Sequence, residues 1–503
     1  MKKNYLHVIS LFVLAFLLIH CKDDDDSLPA DDGPPTQVED PNPDIISFTP
    51  ALGKKGIQVT LKGVDFDAEP GGNTVRFNGV ASQIDTASET TLVVTVPENA
   101  TTGKITLESH GKTYTSFQDF TVLLPPPIIS DFQPKEGVEG DEVTITGENF
   151  GEDASAVIIL FHGSDPVEIQ SISDNKIVVM APDAYSGPIQ MGVKDQYTIT
   201  SDDFTYLPWR QMKDFEQGRR WHGLTVVIND KIYIGLGYVP DSNLADLWEY
   251  DPKTDSWKQM ADFIGTERTD PFSFVIDGHL YIGAGDDGVS TEGPNDFYRF
   301  DPNTNTWTQL DDFPGNPNQM REVAATFTIN GKGYVYGGRQ GIPNTPIYND
   351  LWEYDPKLDT WKEKNGFETA GRTGAVGFSL NSKGYIGLGY KVDLLLNDLW
   401  EYNPIDDTWI EKTSLPEGME RYGARSFTID NKAYVGMGNH KTDFWEFNPE
   451  GNGTWKKKSD FPDEARFWPF AAQVNGKAYI GFGRDDSLSY LKDIWEYTPA
   501  HDQ

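Results

Sequence analysis

The pentapeptide YIGLG at Tyr233 to Gly237 returns five more times before the C-terminus: YIGAG from Tyr281, YVYGG from Tyr334, YIGLG from Tyr385, YVGMG from Tyr434 and YIGFG from Tyr479. Successive starts lie 48, 53, 51, 49 and 45 residues apart. A unit repeated at a period of about fifty must stack on its own copies to bury a core, so the last three-fifths of the chain is a propeller or a solenoid.

Three further registers keep step with the first. WEYDP at Trp248, YRFDP at Tyr298, WEYDP at Trp352, WEYNP at Trp400, WEFNP at Trp445 and WEYTP at Trp495 show the alternation of a half-buried strand, stopped by Pro. A Trp is followed six residues later by an apolar residue at Trp209/Phe215, Trp257/Phe263, Trp307/Phe313, Trp361/Phe367, Trp409/Leu415 and Trp455/Phe461. An Arg stands thirteen residues before each repeat Tyr: Arg220, Arg268, Arg321, Arg372, Arg421 and Arg466. Each unit therefore reads as four short strands, the make-up of a propeller blade, and six units close a ring. The last unit lacks a Trp strand of its own, whereas Trp209 to Phe215 precedes the first. That segment is expected to complete the sixth blade, so that both ends of the domain shut the ring.

On these registers residues 207–503 resemble the kelch-repeat propellers. The third copy departs from the pattern only in having adjacent glycines, Gly337 and Gly338.

A slower repeat of about 84 residues precedes the propeller: IISFTP at Ile45 answers IISDFQP at Ile128, Gly63 with Phe66 answers Gly147 with Phe150, and Phe120 answers Phe204. Short alternating runs such as Val59 to Leu61 and Val143 to Thr146, bounded by Gly, Pro, Asp and Asn, read as small β-sandwiches over 44–124 and 125–206. Their VTLKG and VTITG runs are similar to the IPT/TIG immunoglobulin-like family, which implies spacer or interaction modules. The whole chain is thus expected to be all-β: two tandem immunoglobulin-like sandwiches, then a six-bladed propeller.

The N-terminus reads as an address. Lys2 and Lys3 precede an apolar run, Val8 to Ile19, with the length of a signal-peptide core. The run ends at Cys21, the single cysteine of the sequence, so 1–21 looks like a bacterial lipoprotein signal with a lipidated Cys21. Residues 22–43, rich in Asp and Pro, have little to bury and read as a linker. Asp23 to Asp26 resemble an export tag that places a lipoprotein on the outer surface of the outer membrane, with membrane contact through the lipid alone. A single cysteine also excludes a disulfide. The formal charge of −36 argues against nucleic acid as a partner, since phosphate binding needs a basic footprint.

Chemistry on a ring fold is expected where loops converge at the channel mouth. The resemblance implies that the six opening Arg residues, and Arg339 and Arg484 just after the Gly pairs, face that mouth. Arg recognises carboxylates in a planar, bidentate way. The same Arg residues could instead tie blades together, with Glu249, Glu353, Glu401, Glu446 and Glu496 as partners. What breaks the symmetry is sharper: Trp221, Tyr422, and Phe467 with Trp468 follow the Arg in the first, fifth and sixth blades, against Thr269, Glu322 and Thr373 elsewhere. An aromatic wall beside Arg suits an acidic sugar, or else the aromatics pack between blades. Neither metal nor cofactor is expected: His222, His279, His440 and His501 do not recur by blade, and a Tyr–Cys copper site lacks its Cys. The reading is a surface binding protein for a glycan or a protein partner, and not an enzyme. The alternatives are a structural part of a surface complex, or a sialic-acid-type anomeric epimerase using the Arg residues and an acid such as Glu267, Glu322 or Glu420.

Overall fold

The computed structural model describes residues 44–502 apart from Asp195, Asp241 and residues 290–292, 316–319, 342–345 and 368–370. The leader, Cys21 and the acidic linker lie outside the described residues. No helix among the described residues is long and apolar enough to cross a membrane. The chain divides into two compact units, one ending at Pro125 and one beginning at Pro126.

The first unit holds a sandwich of a four-stranded and a five-stranded sheet. Its strand Gln58–Val64 alternates buried and outward residues, which puts Val59, Leu61 and Gly63 on the core face with Leu92, Val94, Phe77 and Phe120. Gly63 is obligatory by close approach: a Cβ there would lie 1.9 Å from the Asp44 carbonyl, because the Asp44–Thr49 strand shifts register between Ile45 and Ser47. Gly147 of the second sandwich meets the Ile128 carbonyl at the same 1.9 Å, so the shared Gly marks a shared bulge.

The second sandwich is packed on the propeller within one unit. Tyr206, at the end of its last strand Gln196–Tyr206, donates to the Pro182 carbonyl at 2.6 Å and stacks at 4.9 Å on His501. The His501 Nε2 lies 2.8 Å from the Ala184 carbonyl. Lys477 of the sixth blade pairs with Glu139 at 2.8 Å, and Arg210 donates to the Glu139 carbonyl at 2.9 Å.

The propeller consists of six four-stranded antiparallel sheets. Each innermost strand, from Leu224–Ile228 in the first blade to Phe470–Val474 in the sixth, alternates buried residues with residues facing the channel. The second strand, which carries the repeat Tyr, is buried on both faces because neighbouring blades cover it. Trp209–Gln211 pairs with Ile494–Tyr497 in the register Trp209↔Tyr497, Arg210↔Glu496, Gln211↔Trp495. The ring therefore closes with a strand from the start of the domain, as the missing Trp strand predicts. Its continuation to Phe215 crosses to the first blade, where Phe215 packs on Trp248 and Trp257 at 5.3 and 4.5 Å.

Candidate functional site

The six opening Arg residues do not face the mouth. Arg220, Arg268, Arg321, Arg372, Arg421 and Arg466 are 0–3 % exposed, and each guanidinium is held bidentately by an Asp: Asp246, Asp296, Asp350, Asp398, Asp443 and Asp493. Each Nη1 also donates to the carbonyl sixteen residues on. In five blades the apolar residue of the Trp register lies under the guanidinium, as Phe461 does under Arg466 at 4.5 Å. Their charge is consumed inside the blades, which corrects the expectation of a ligand-facing ring. The Glu residues expected as possible partners serve another group. Glu353, Glu401 and Glu496 sit directly across the ladder from the repeat Tyr and accept its hydroxyl at 2.6–2.7 Å. The true partner carried its own signal: an Asp stands two residues before the aromatic of every WEYDP-type strand.

The symmetry-breaking residues do come together. A mouth cavity of about 590 Å³ is bordered by Trp221, Tyr422, Phe467, Trp468, Arg339 and Arg484. In five blades the residue after the Arg pairs with the residue after a Gly pair, as in Trp221↔Tyr238, Glu322↔Arg339 and Phe467↔Arg484, and this brings both registers to one face. Tyr422 and Phe467 meet edge to face at 5.0 Å. Arg484 lies over the Trp221 ring at 4.2 Å, in cation–π range. Arg339 is bound to Glu322 at 2.6 Å. The Trp221 Nε1, Arg484 Nε and Thr373 Oγ1 are buried in this wall without a partner among the described residues.

Below the mouth the chain narrows to a throat. The second residue after each Arg has positive φ in all six blades: His222 58°, Asp270 48°, Val323 57°, Gly374 63°, Gly423 68° and Trp468 51°. The Asp270, Gly374 and Gly423 amides donate to the carbonyls of His222, Val323 and Gly374, so the belt is linked from blade to blade. Left-handed backbone at the four belt positions that carry a side chain, His222, Asp270, Val323 and Trp468, is strain held by the ring, and strain of this kind gathers at functional sites. The Trp468 indole lies across the two belt glycines; a Cβ at Gly423 or Gly374 would stand 3.1 Å from it. His222 and Asp270, adjacent in the belt, bond through Nδ1 and Oδ1 at 2.6 Å. Sequence reasoning passed over both, because it looked for histidines recurring by blade; His222 and Asp270 do share a register, 48 residues apart.

Of the acids considered from sequence, Glu322 alone is buried beside this throat. Burial, reinforced by the Asp270 carboxylate, outweighs the Arg339 ion pair and pushes Glu322 up to about 7. Glu267 is exposed, and Glu420 is spent on the Gly418 amide. Among the described residues no group of three or more His, Cys, Asp or Glu is placed to hold a metal.

Residues 43–122 and 127–206 each match the IPT/TIG domain, residues 223–264 the Kelch motif, and residues 264–438 the KLHDC2/KLHL20/DRC7 Kelch-repeats domain. The chain carries two IPT/TIG domains followed by kelch repeats. N-acetylneuraminate epimerases of Shigella boydii serotype 4 (strain Sb227) and Shigella flexneri are each 35% identical over 77 residues, which is 14% of this chain and 20% of theirs. The chain thus spans about a fifth of the length of the curated relatives it matches. A solved structure titled "Structure of YjhT" is 19% identical, covering 57% of this chain and 97% of its own, with a TM-score of 0.49.

Proposed function

We propose that the kelch mouth binds an acidic sugar, on a protein tethered through a lipid on Cys21 and displayed at the outer surface. The observation that carries this is the Arg484 guanidinium stacked on Trp221, in a cavity also walled by Tyr422 and Phe467. Aromatic faces take the apolar face of a sugar ring, and a guanidinium fork takes a carboxylate. The buried, unpartnered donors of Trp221 and Thr373 are groups that sugar oxygens can satisfy. Replacing Trp221 and Tyr422 together by Ala is expected to weaken binding of N-acetylneuraminate by roughly tenfold or more. Isothermal titration of wild type and variant measures this, and unchanged affinity with folded protein sinks the reading.

A second reading, anomeric interconversion of the bound sugar, is favoured by the His222–Asp270 pair and the raised Glu322 at the throat. Ring opening moves a proton from the anomeric hydroxyl to a base and delivers one to the ring oxygen as the C–O bond breaks; closure from the other face reverses both, with no redox change. His222, held by Asp270, is the group that lines the mouth and can carry that proton. The match to N-acetylneuraminate epimerases points the same way. Exchange NMR of the N-acetylneuraminate anomers is expected to show faster exchange with wild type than with His222→Gln. Exchange at the rate of buffer alone leaves the mouth a binding site only.

A further inference from the structure

Beneath the mouth the inner strands line a second cavity of about 200 Å³ on the channel axis, which shares Val323 and Trp468 with the mouth. The first residue of the inner strand is apolar in five blades, Leu224, Phe272, Ala325, Val376 and Phe470, and is Arg425 in the fifth. Arg425 borders this cavity, with its guanidinium 5.1 Å from the Trp468 ring. Among the described residues its guanidinium makes one hydrogen bond, a long one from Nη1 to the Ala424 carbonyl at 3.4 Å. Among the described residues no carboxylate lies within 4.0 Å of it. Asp270 acts on it only through space, being bonded to His222. The Thr326 and Ser426 hydroxyls of the wall are spent on the Ser273 and Gly377 carbonyls, whereas those of Thr225 and Ser273 have no partner among the described residues.

A half-buried guanidinium with an aromatic face beside it but no carboxylate is a cost to folding that the six Arg–Asp pairs inside the blades do not carry. Burial pushes Arg425 down to about 10, still fully charged near neutral pH. Its planar fork and the two free hydroxyls form a set of donors facing one small space.

We propose that the channel under the throat is an anion site in which Arg425 binds a single carboxylate. The carboxylate is either a small free anion or the acid group of a sugar seated in the mouth; the second source alone rests on the function proposed above. Trifluoroacetate is the probe, followed by its ¹⁹F linewidth on the full chain. Wild type is expected to broaden the line, the mouth variant W221A/Y422A to broaden it equally, and Arg425→Gln to leave it sharp. Arg425→Met, which keeps the packing volume, is expected to behave as Arg425→Gln and to melt no lower than wild type, since neither strands a carboxylate. Equal broadening by wild type and both Arg425 variants, or none by wild type, overturns the proposal. Displacement of trifluoroacetate by N-acetylneuraminate but not by its methyl ester supports the site and assigns it to the sugar's acid group. Displacement by neither supports it as a free-anion site. If neither sugar binds anywhere, the mouth reading fails while the Arg425-dependent linewidth still decides the anion site.

Discussion

Replacing Asp443 with Ala is expected to destabilise the propeller by about 3–5 kcal/mol, read from denaturant unfolding followed by tryptophan fluorescence. The reason is the state in which Arg421 is left. Its guanidinium is 0 % exposed and gives two hydrogen bonds to Asp443, at 2.9 and 2.7 Å. Carbonyls of Met419 and Met437 take two more of its donors, and neither carries the opposing charge. The Trp445 indole also loses its acceptor at 2.5 Å. The double variant R421M/D443L removes both charges together and is expected to lose much less than D443A. A loss in D443A no larger than in the double variant would mean that the pair is not what holds the blade. Acid provides a second readout. Burial alone would raise the Asp443 carboxyl, but the Arg421 hydrogen bond and charge, with the Trp445 N–H, bring it below its ordinary value of 3.8. A carboxylate depressed in the folded state adds stability that is full above the ordinary value and is lost as pH falls below it. Wild type is therefore expected to lose stability below pH 3.8 more steeply than D443A.

Four registers visible in the sequence turn out to converge on this one feature. The opening Arg, the residue after the repeat Tyr strand and the start of the WEYDP strand meet at one guanidinium in each blade, and the Trp-register Phe joins them in five. Their recurrence made the fold legible, and it also misled, because what recurs six times in a propeller serves the blades. Glu249 and its equivalents were plausible Arg partners by charge. Ladder register places them opposite the Tyr hydroxyls instead, and only pairing the strands reveals that. The mouth residues Trp221, Tyr422, Phe467, Arg339 and Arg484 were legible for the opposite reason, as departures from the repeat. The throat was not. Trp468 stood out as an aromatic, but the register it shares with His222 and Asp270 has only a left-handed backbone in common, and three unlike side chains give no pattern to find. Arg425 was a departure too, in a register of apolar residues that went unread because it carries the core.

Replacing Trp209 with Ala is expected to open the ring, at about 3–5 kcal/mol for the loss of a large buried aromatic. Trp209 is 7 % exposed and packs on Tyr497, Phe461 and Phe444 at 4.5, 5.2 and 5.4 Å. The strand it anchors is three residues long, the shortest of any in the six sheets, so few ladder hydrogen bonds remain to hold it. Freed, it exposes the Ile494–Tyr497 edge to other chains. Light scattering after size exclusion is expected to show association of W209A on mild warming, at temperatures where wild type stays monodisperse. Trp409→Ala, in the outer strand Thr408–Lys412 joined within its own blade, is the control and is expected to leave the dispersity unchanged. The closure also reaches the site, because the mouth straddles the seam it shuts. Trp221 and His222 belong to the first blade, Phe467, Trp468 and Arg484 to the sixth, and His222 meets Trp468 across the seam at 5.2 Å. Phe215, four residues beyond the closing strand, presses on Trp248 of the first blade and on Phe482 of the sixth. A loosened strand at the rim therefore lets the two halves of the mouth drift apart, and W209A is expected to bind N-acetylneuraminate more weakly than W409A. Equal affinity in the two variants would show that the inner strands hold the seam without the strand that closes it.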